Sequence, residues 1–293
     1  WLARFPKKTA LILLMAIFTI GNVLATVAPD YMSLMGARLI TSLNHGAFFG
    51  LGSVMAASVV PKDKQASAVA MMFMGLMLAL WKALPQDHDV VKPNVAKELR
   101  VLTRAPVVLA LLTTVMSAGA MFALYTYIAP SLHVFMQASP QTITLMLVLI
   151  GIGFSIGNHL GGKFADLSLE KTLIGFLVLL MVMMLVFPVL AQTTVGAAIG
   201  LVIWGAAAFA VVPPLQMRVM SVAEDAPGLA SSVNIGAFNL GNALGAFAGA
   251  TVLSMQLSYA AVSYAGAALS FMALILVLLQ MKFGLSKKAC EAV

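Results

Sequence analysis

The chain has 293 residues, of which 61% are hydrophobic and only 9% charged, whereas a soluble domain is about half apolar and about a quarter charged. This excludes a water-soluble globular domain and points to lipid as the main solvent. The formal charge of +7 does not argue for nucleic acid, because the basic residues sit in short segments flanking apolar runs, where they set membrane orientation.

Arg4, Lys7 and Lys8 precede the first apolar run, which has full spanning length and no small-residue cleavage site, so it does not read as a signal peptide. The true N-terminus is expected upstream of Trp1. One spanning helix needs about 20 residues, and runs of that order lie at Thr9 to Ala28, Met32 to Val60, Ala66 to Leu84, Pro106 to Met136, Thr142 to Gly162, Thr172 to Ala191, Thr194 to Met217, Gly228 to Met255 and Ser258 to Met281. Helices are expected throughout, since lipid offers no partner to backbone polar groups and the runs are too long for barrel strands. The fold class is therefore an all-α polytopic membrane protein with about nine candidate spans. Its single cysteine, Cys290, lies in the polar tail and gives neither a disulfide framework nor a metal or redox motif.

Loop charges orient the spans. Lys163 and Lys171, Arg218, and Lys282, Lys287 and Lys288 mark one side, expected to be cytoplasmic; the turns near Asp30, Gln137 to Gln141, Gln192 to Thr193 and Gln256 to Leu257 contain no Lys or Arg. Three spans before the linker Lys82 to Arg104 would put its basic residues on the wrong side for the six spans that follow. Either Ala66 to Leu84 does not complete a crossing or a following helix is absent. The organisation read from this is a partial N-terminal bundle (1–84), a cytoplasmic linker (85–104), a complete six-helix bundle (105–283) and a cytoplasmic tail (284–293). A weak internal echo relates Asn44-His45-Gly46-Ala47-Phe48-Phe49 and Ala66-Ser67-Ala68 to Trp204-Gly205-Ala206-Ala207-Ala208-Phe209 and Ala230-Ser231-Ser232, as transporter repeats do.

Through Thr41 to Gly50, Tyr125 to Ile128, Val212 to Arg218 and Ser231 to Gly241, the sequence resembles the major facilitator superfamily, in particular its bacterial drug-and-sugar efflux proteins. The resemblance implies twelve spans, of which this chain lacks counterparts for the first two and for the region from the end of the fifth through the sixth. It implies proton-coupled efflux of a small molecule by alternating access, in the bacterial inner membrane. The family's loop signature is matched by Gly162-Lys163-Phe164-Ala165-Asp166 with Lys171 beyond, so Gly162, Asp166 and Lys171 are expected to stabilise one state of the rocking cycle against a neighbouring helix end. The family's arginine in the fourth helix is matched by Arg38, with Ser42 where a glycine is usual.

Arg38 is the one ionised side chain well inside an expected span, and a central arginine costs at least about 2.5 kcal/mol without water or a partner. It serves proton coupling or snorkels to the interface. No carboxylate lies mid-span, so His45 is the other proton-coupling candidate, with helix packing as the alternative. Asn234, Asn239 and Asn242 bond between helices alongside small residues, or else Asn239 and Asn242, with Asn44, Tyr125 and Tyr127, line a substrate cavity suited to a sugar, nucleoside or amphiphilic drug. Pro213 and Pro214 must interrupt backbone bonding, as a kink or a gating hinge. The 20 methionines are core fillers rather than copper ligands, and neither His133 nor His159 has metal-ligand neighbours. No cofactor, metal or catalytic residue is expected. The expected partners are the bilayer, a small substrate and protons, and the chain is expected to be monomeric. The competing reading is a transport-inactive membrane fragment or partner-binding helical module.

Overall fold

The computed structural model describes residues 7–73 and 95–291, and no strand occurs among them. In chain order the helices are α1 (Lys7–Thr26), α2 (Tyr31–Ser58), a 3-10 turn at Lys62–Lys64, α3 (Gln65–Phe73), α4 (Val95–Leu102), α5 (Ala105–Thr126), α6 (Ile128–Met136), α7 (Pro140–Leu167), α8 (Leu169–Leu190), α9 (Thr194–Ala210), α10 (Val212–Val222), α11 (Pro227–Ser254) and α12 (Tyr259–Glu291). Six segments among the described residues are long and apolar enough to span: α5, α7, α8, α9 with α10, α11, and α12 as far as Lys282.

The turns explain where the helices begin. Asp30 accepts from the Ser33 amide at 2.8 Å and opens α2 with a reciprocal capping box. Ser139 caps α7 with Pro140 in its first turn, and Thr193 caps α9 through the Gly196 amide. Two spans are broken: the chain leaves helical geometry at Tyr127, between α5 and α6, and turns at Val211, between α9 and α10. At the second break Pro213 and Pro214 fall in the first turn of α10, where a missing amide costs nothing.

Within the six-span bundle, α5 packs on α11 and α7 on α9, both by close backbone approach. Gly153, Gly157 and Gly161 lie four residues apart on α7, and a Cβ at each would collide with the α9 backbone at Val202, Ala206 and Ala210 in turn. Gly241 and Gly245 of α11 meet the α5 backbone at Val115 and Gly119 in the same way. Between these seams Trp204, Phe187, Leu124, Leu132 and Met184 are fully buried.

The first three helices form a second group. α1 packs on α2, α2 lies along α11, and α3 lies along α7 and α10. The first turn of α3 meets Asp166 near the end of α7. Val101 of α4 is buried with Val107, Val219, Ala223 and Ala226, at the start of α5, the end of α10 and the start of α11. α3 and α4 therefore share one end of the bundle, together with Lys62, Lys64, Arg104, Lys163 and Lys171. The nine residues of α3 advance about 14 Å, roughly half the hydrocarbon thickness. The expected span Ala66 to Leu84 is thus helical as far as Phe73, and its remainder lies outside the described residues.

Candidate functional site

Three residues one turn apart on α7, Asn158, Gly162 and Asp166, face α3 and form the polar part of the contact between the two helix groups. The Asp166 carboxylate accepts from the backbone amides of Ala66 at 2.8 Å and Ser67 at 3.1 Å, acting as the cap of α3 from a residue 100 positions away. A carboxylate here satisfies orphan amides and meets the positive end of the helix. A Cβ at Gly162 would strike the Ala70 methyl and the Ser67 backbone, so the glycine sets how near α3 can come. Asn158, buried, donates its Nδ2 to the Ala70 carbonyl at 2.5 Å, while its Oδ1 has no partner among the described residues. Met220 and Met217 of α10 extend the contact over Ala56, Ala57, Ala68, Val69 and Met72.

Beside this contact lies a buried polar network. Thr114 of α5 donates to Asn234 Oδ1 at 2.7 Å, Asn234 Nδ2 donates to Gln216 Oε1 at 2.7 Å, and Gln216 Nε2 donates to Ser231. Arg218, two residues beyond Gln216, is only 6% exposed, and its Nη1 has no hydrogen-bond partner among the described residues. Glu170, at the start of α8, is the acidic group whose charge acts on it. An arginine expected in a loop is therefore buried in a helix. The double proline that precedes it was the available signal, since Pro in a first turn starts a helix as readily as it ends one.

Farther from the basic end, aromatic rings from four helices gather. Tyr125 of α5 stacks on Trp204 of α9 at 13° with centroids 6.5 Å apart, and lies 5.8 Å from Phe154 of α7. Phe154 stacks on Phe209 at 4.1 Å, and Phe122 meets Phe238 of α11 edge-on at 6.2 Å. Tyr125 and Asn239 are exposed, whereas the fully buried Trp204 has an Nε1 without a partner among the described residues.

The expected residues separate as follows. Gly162 and Asp166 come together against α3; Lys171 does not join them and is exposed on α8. Tyr127 donates its hydroxyl to the Ala246 carbonyl at 2.9 Å and lays its ring against Gly249, ties that belong to α5–α11 packing. Asn239 is exposed, and Asn242 is half-buried with its Oδ1 unpartnered among the described residues. Pro213 and Pro214 are buried at the start of α10. Arg38, Asn44 and His45 lie on α2, with side chains outside the described ones. No cluster of metal-ligating side chains occurs among the described residues. Asn158, Gln216, Thr114 and the ring cluster around Trp204 went unread; Asn158 was legible as the amide four residues before Gly162 and eight before Asp166, on one helix face.

Comparison with known proteins supplies the family. A profile of the Major Facilitator Superfamily matches residues 73–246. The inner membrane transport protein YdhP of Escherichia coli K12 is 58% identical over 310 residues, covering 94% of this chain and 80% of that protein. The uncharacterized MFS-type transporter YfhI of Bacillus subtilis is 31% identical over 307 residues, covering 93% and 77%. With 94% of 293 residues being about 275, the 310 aligned positions leave about 35 positions of YdhP facing no residue of this chain. Among solved structures, the Escherichia coli fucose:proton symporter FucP superposes with a TM-score of 0.74 at 12% identity, covering 95% of this chain and 85% of that one. A helical bundle of this topology, with two helix groups in contact at one end and a relative of this identity, places the chain in the major facilitator superfamily of membrane transporters.

Proposed function

We propose that the chain moves a sugar, nucleoside or drug-like small molecule out of a bacterial cell by proton-coupled alternating access between its two helix groups. The observation that carries this reading is the Asp166 carboxylate bonded to the first amides of α3 across the group boundary. It acts as a latch on the state closed at the basic end, which the loop charges make cytoplasmic. When the groups rock apart the α3 amides lose their acceptor, so the latch has the differential interaction between states that a switch requires. Tyr125, with Asn239 and Asn242, supplies the substrate surface; Tyr127 contributes through helix packing. Arg38 and His45 on α2 carry the proton coupling, and the breaks at Tyr127 and at Pro213 and Pro214 are where spans bend. The chain works as a monomer in the inner membrane, with linker and C-terminus cytoplasmic and no cofactor.

The roughly 35 aligned positions of YdhP that have no counterpart in this chain, more residues than one span needs, favour a second reading, a folded but transport-inactive helical module. Everted membrane vesicles energised by respiration separate the two. Addition of sugars, nucleosides or amphiphilic dyes is expected to discharge the pH gradient for at least one class, with Arg38→Gln abolishing the response. Folded protein in the vesicles with no discharge by any class would establish the inactive module.

A further inference from the structure

A groove of about 390 Å³ runs along the outer surface of the six-span bundle between α7 and α8, on a side of α7 other than the one that meets α3. Its walls are Phe164 and Leu167 of α7 and Phe176 and Leu179 of α8, with the rings of Phe164 and Phe176 6.2 Å apart. Gly175 forms a notch in it, since a Cβ there would meet nothing within 4 Å. Ser168 and Lys171 stand at the basic mouth. Lys171 is exposed and makes no ion pair among the described residues. Ser168 opens α8 without a side-chain cap, so the first-turn amides there keep no side-chain acceptor.

We propose that this groove holds one anionic phospholipid, with an acyl chain along Phe164, Phe176 and Leu179 and the phosphate against Lys171 and the Ser168 hydroxyl. From Lys171 to Leu179 is eight residues of α8, about 12 Å, which falls within the roughly 15 Å of hydrocarbon in one leaflet. An apolar slot of leaflet depth with a cation at its headgroup end has the charge pattern of an anionic lipid. A second copy of the chain is a poorer occupant, because a stable interface buries about 800 Å² on each partner and this slot is bounded by eight residues. Glu170 beside Lys171 offsets part of the attraction, so headgroup selection rests on one lysine and is moderate.

The full chain, purified in mild detergent and supplied with phosphatidylglycerol or phosphatidylcholine of matched acyl chains, tests this by native mass spectrometry. One phosphatidylglycerol is expected to be retained in preference to phosphatidylcholine. Lys171→Gln should weaken that preference about fivefold, the factor corresponding to roughly 1 kcal/mol per basic residue at an anionic surface. Gly175→Phe, whose Cβ meets nothing within 4 Å and whose ring occupies the groove, should remove both lipids. Lys64→Gln, an exposed lysine at the same end outside the groove, should change nothing. The proposal is overturned by full retention in Gly175→Phe, by equal losses in Lys64→Gln and Lys171→Gln, or by equal retention of the two lipids in the unaltered chain.

Discussion

The two helix groups are built differently. The six-span bundle buries large side chains such as Trp204 and Phe187 and joins its helices through glycines that admit no Cβ. Among the described residues the three-helix group buries chiefly small residues, among them Ala37, Ala56, Ala57, Ala66, Ala68 and Ala70, and exposes Ile20, Val23 and Met32. Interdigitated cores resist displacement because many close contacts must break together. The joint between the groups adds Val69, Met72, Met217 and Met220 to a face of alanines held by Asp166 and Asn158, so it has fewer large interlocking side chains to break than the bundle core. The difference suits a molecule in which one group stays rigid and the other moves against it, with polar bonds rather than packing setting which arrangement is populated.

The same substitution in each group gives the sharpest contrast. Gly157→Ala places a methyl against the Ala206 backbone, which cannot turn aside, and a core overpacked in this way loses about 3 kcal/mol. Gly36→Ala on α2 meets nothing within 4 Å, and an exposed helical glycine changed to alanine gains about 1 kcal/mol of helix stability. Thermal unfolding in detergent should therefore show a large loss for the first and a small gain for the second. Equal losses would mean that the three-helix group is as tightly packed as the bundle.

Asp166→Asn probes the joint itself. Both oxygens of the carboxylate accept amides at present; an amide side chain keeps one acceptor and loses the charge facing the helix end. Charge at a partly buried helix N-terminus contributes about 1 to 2 kcal/mol, so the state closed at the basic end should lose about tenfold in population. Paired labels on α3 and the end of α7, read by electron–electron distance measurement, would report the shift, while the melting temperature of the bundle should barely move. A drop in melting temperature with unchanged distances would make Asp166 a structural cap and no latch.

The bundle was legible because apolar run length and uncharged intervals fix spans whatever their partners; five of its six segments appear close to their expected bounds, while the first spans only Ala105–Thr126 rather than Pro106 to Met136. The breaks were legible unequally: Pro213 and Pro214 announce theirs, whereas at Tyr127 the chain turns three residues before Pro130 with no local glycine. The cross-group site was half legible. Gly162 and Asp166 could be picked out as a motif, but their partner is the backbone of Ala66 and Ser67, and backbone amides leave no mark in a sequence. Arg218 was misplaced for the converse reason, since loop charge is counted by residue type, whereas its burial depends on the packing of α10 against its neighbours. The loop-parity conflict points to the linker between α3 and α4, whose described ends share one end of the bundle.

The smallest expected effect concerns the three-helix group alone. The Ser33 backbone amide bonds the Asp30 carboxylate and, with the adjacent Ser33 hydroxyl, holds its pKa below the ordinary aspartate value. A carboxylate with a depressed folded-state pKa contributes its stability in full above the unfolded value of about 3.9 and loses it as the pH falls through the folded value. Amide exchange in the first turn of α2 should thus be flat between pH 7 and about pH 5, after correction for intrinsic rates, and should rise relative to the rest of α2 below about pH 4. Asp30→Asn, which keeps an acceptor for the Ser33 amide, should erase the pH dependence without unfolding the turn. Because Asp30 lies at the end opposite Asp166, its acid transition should leave the α3–α7 distance unchanged; a coupled change in both would show that the three helices move as one body even when only their far end is loosened.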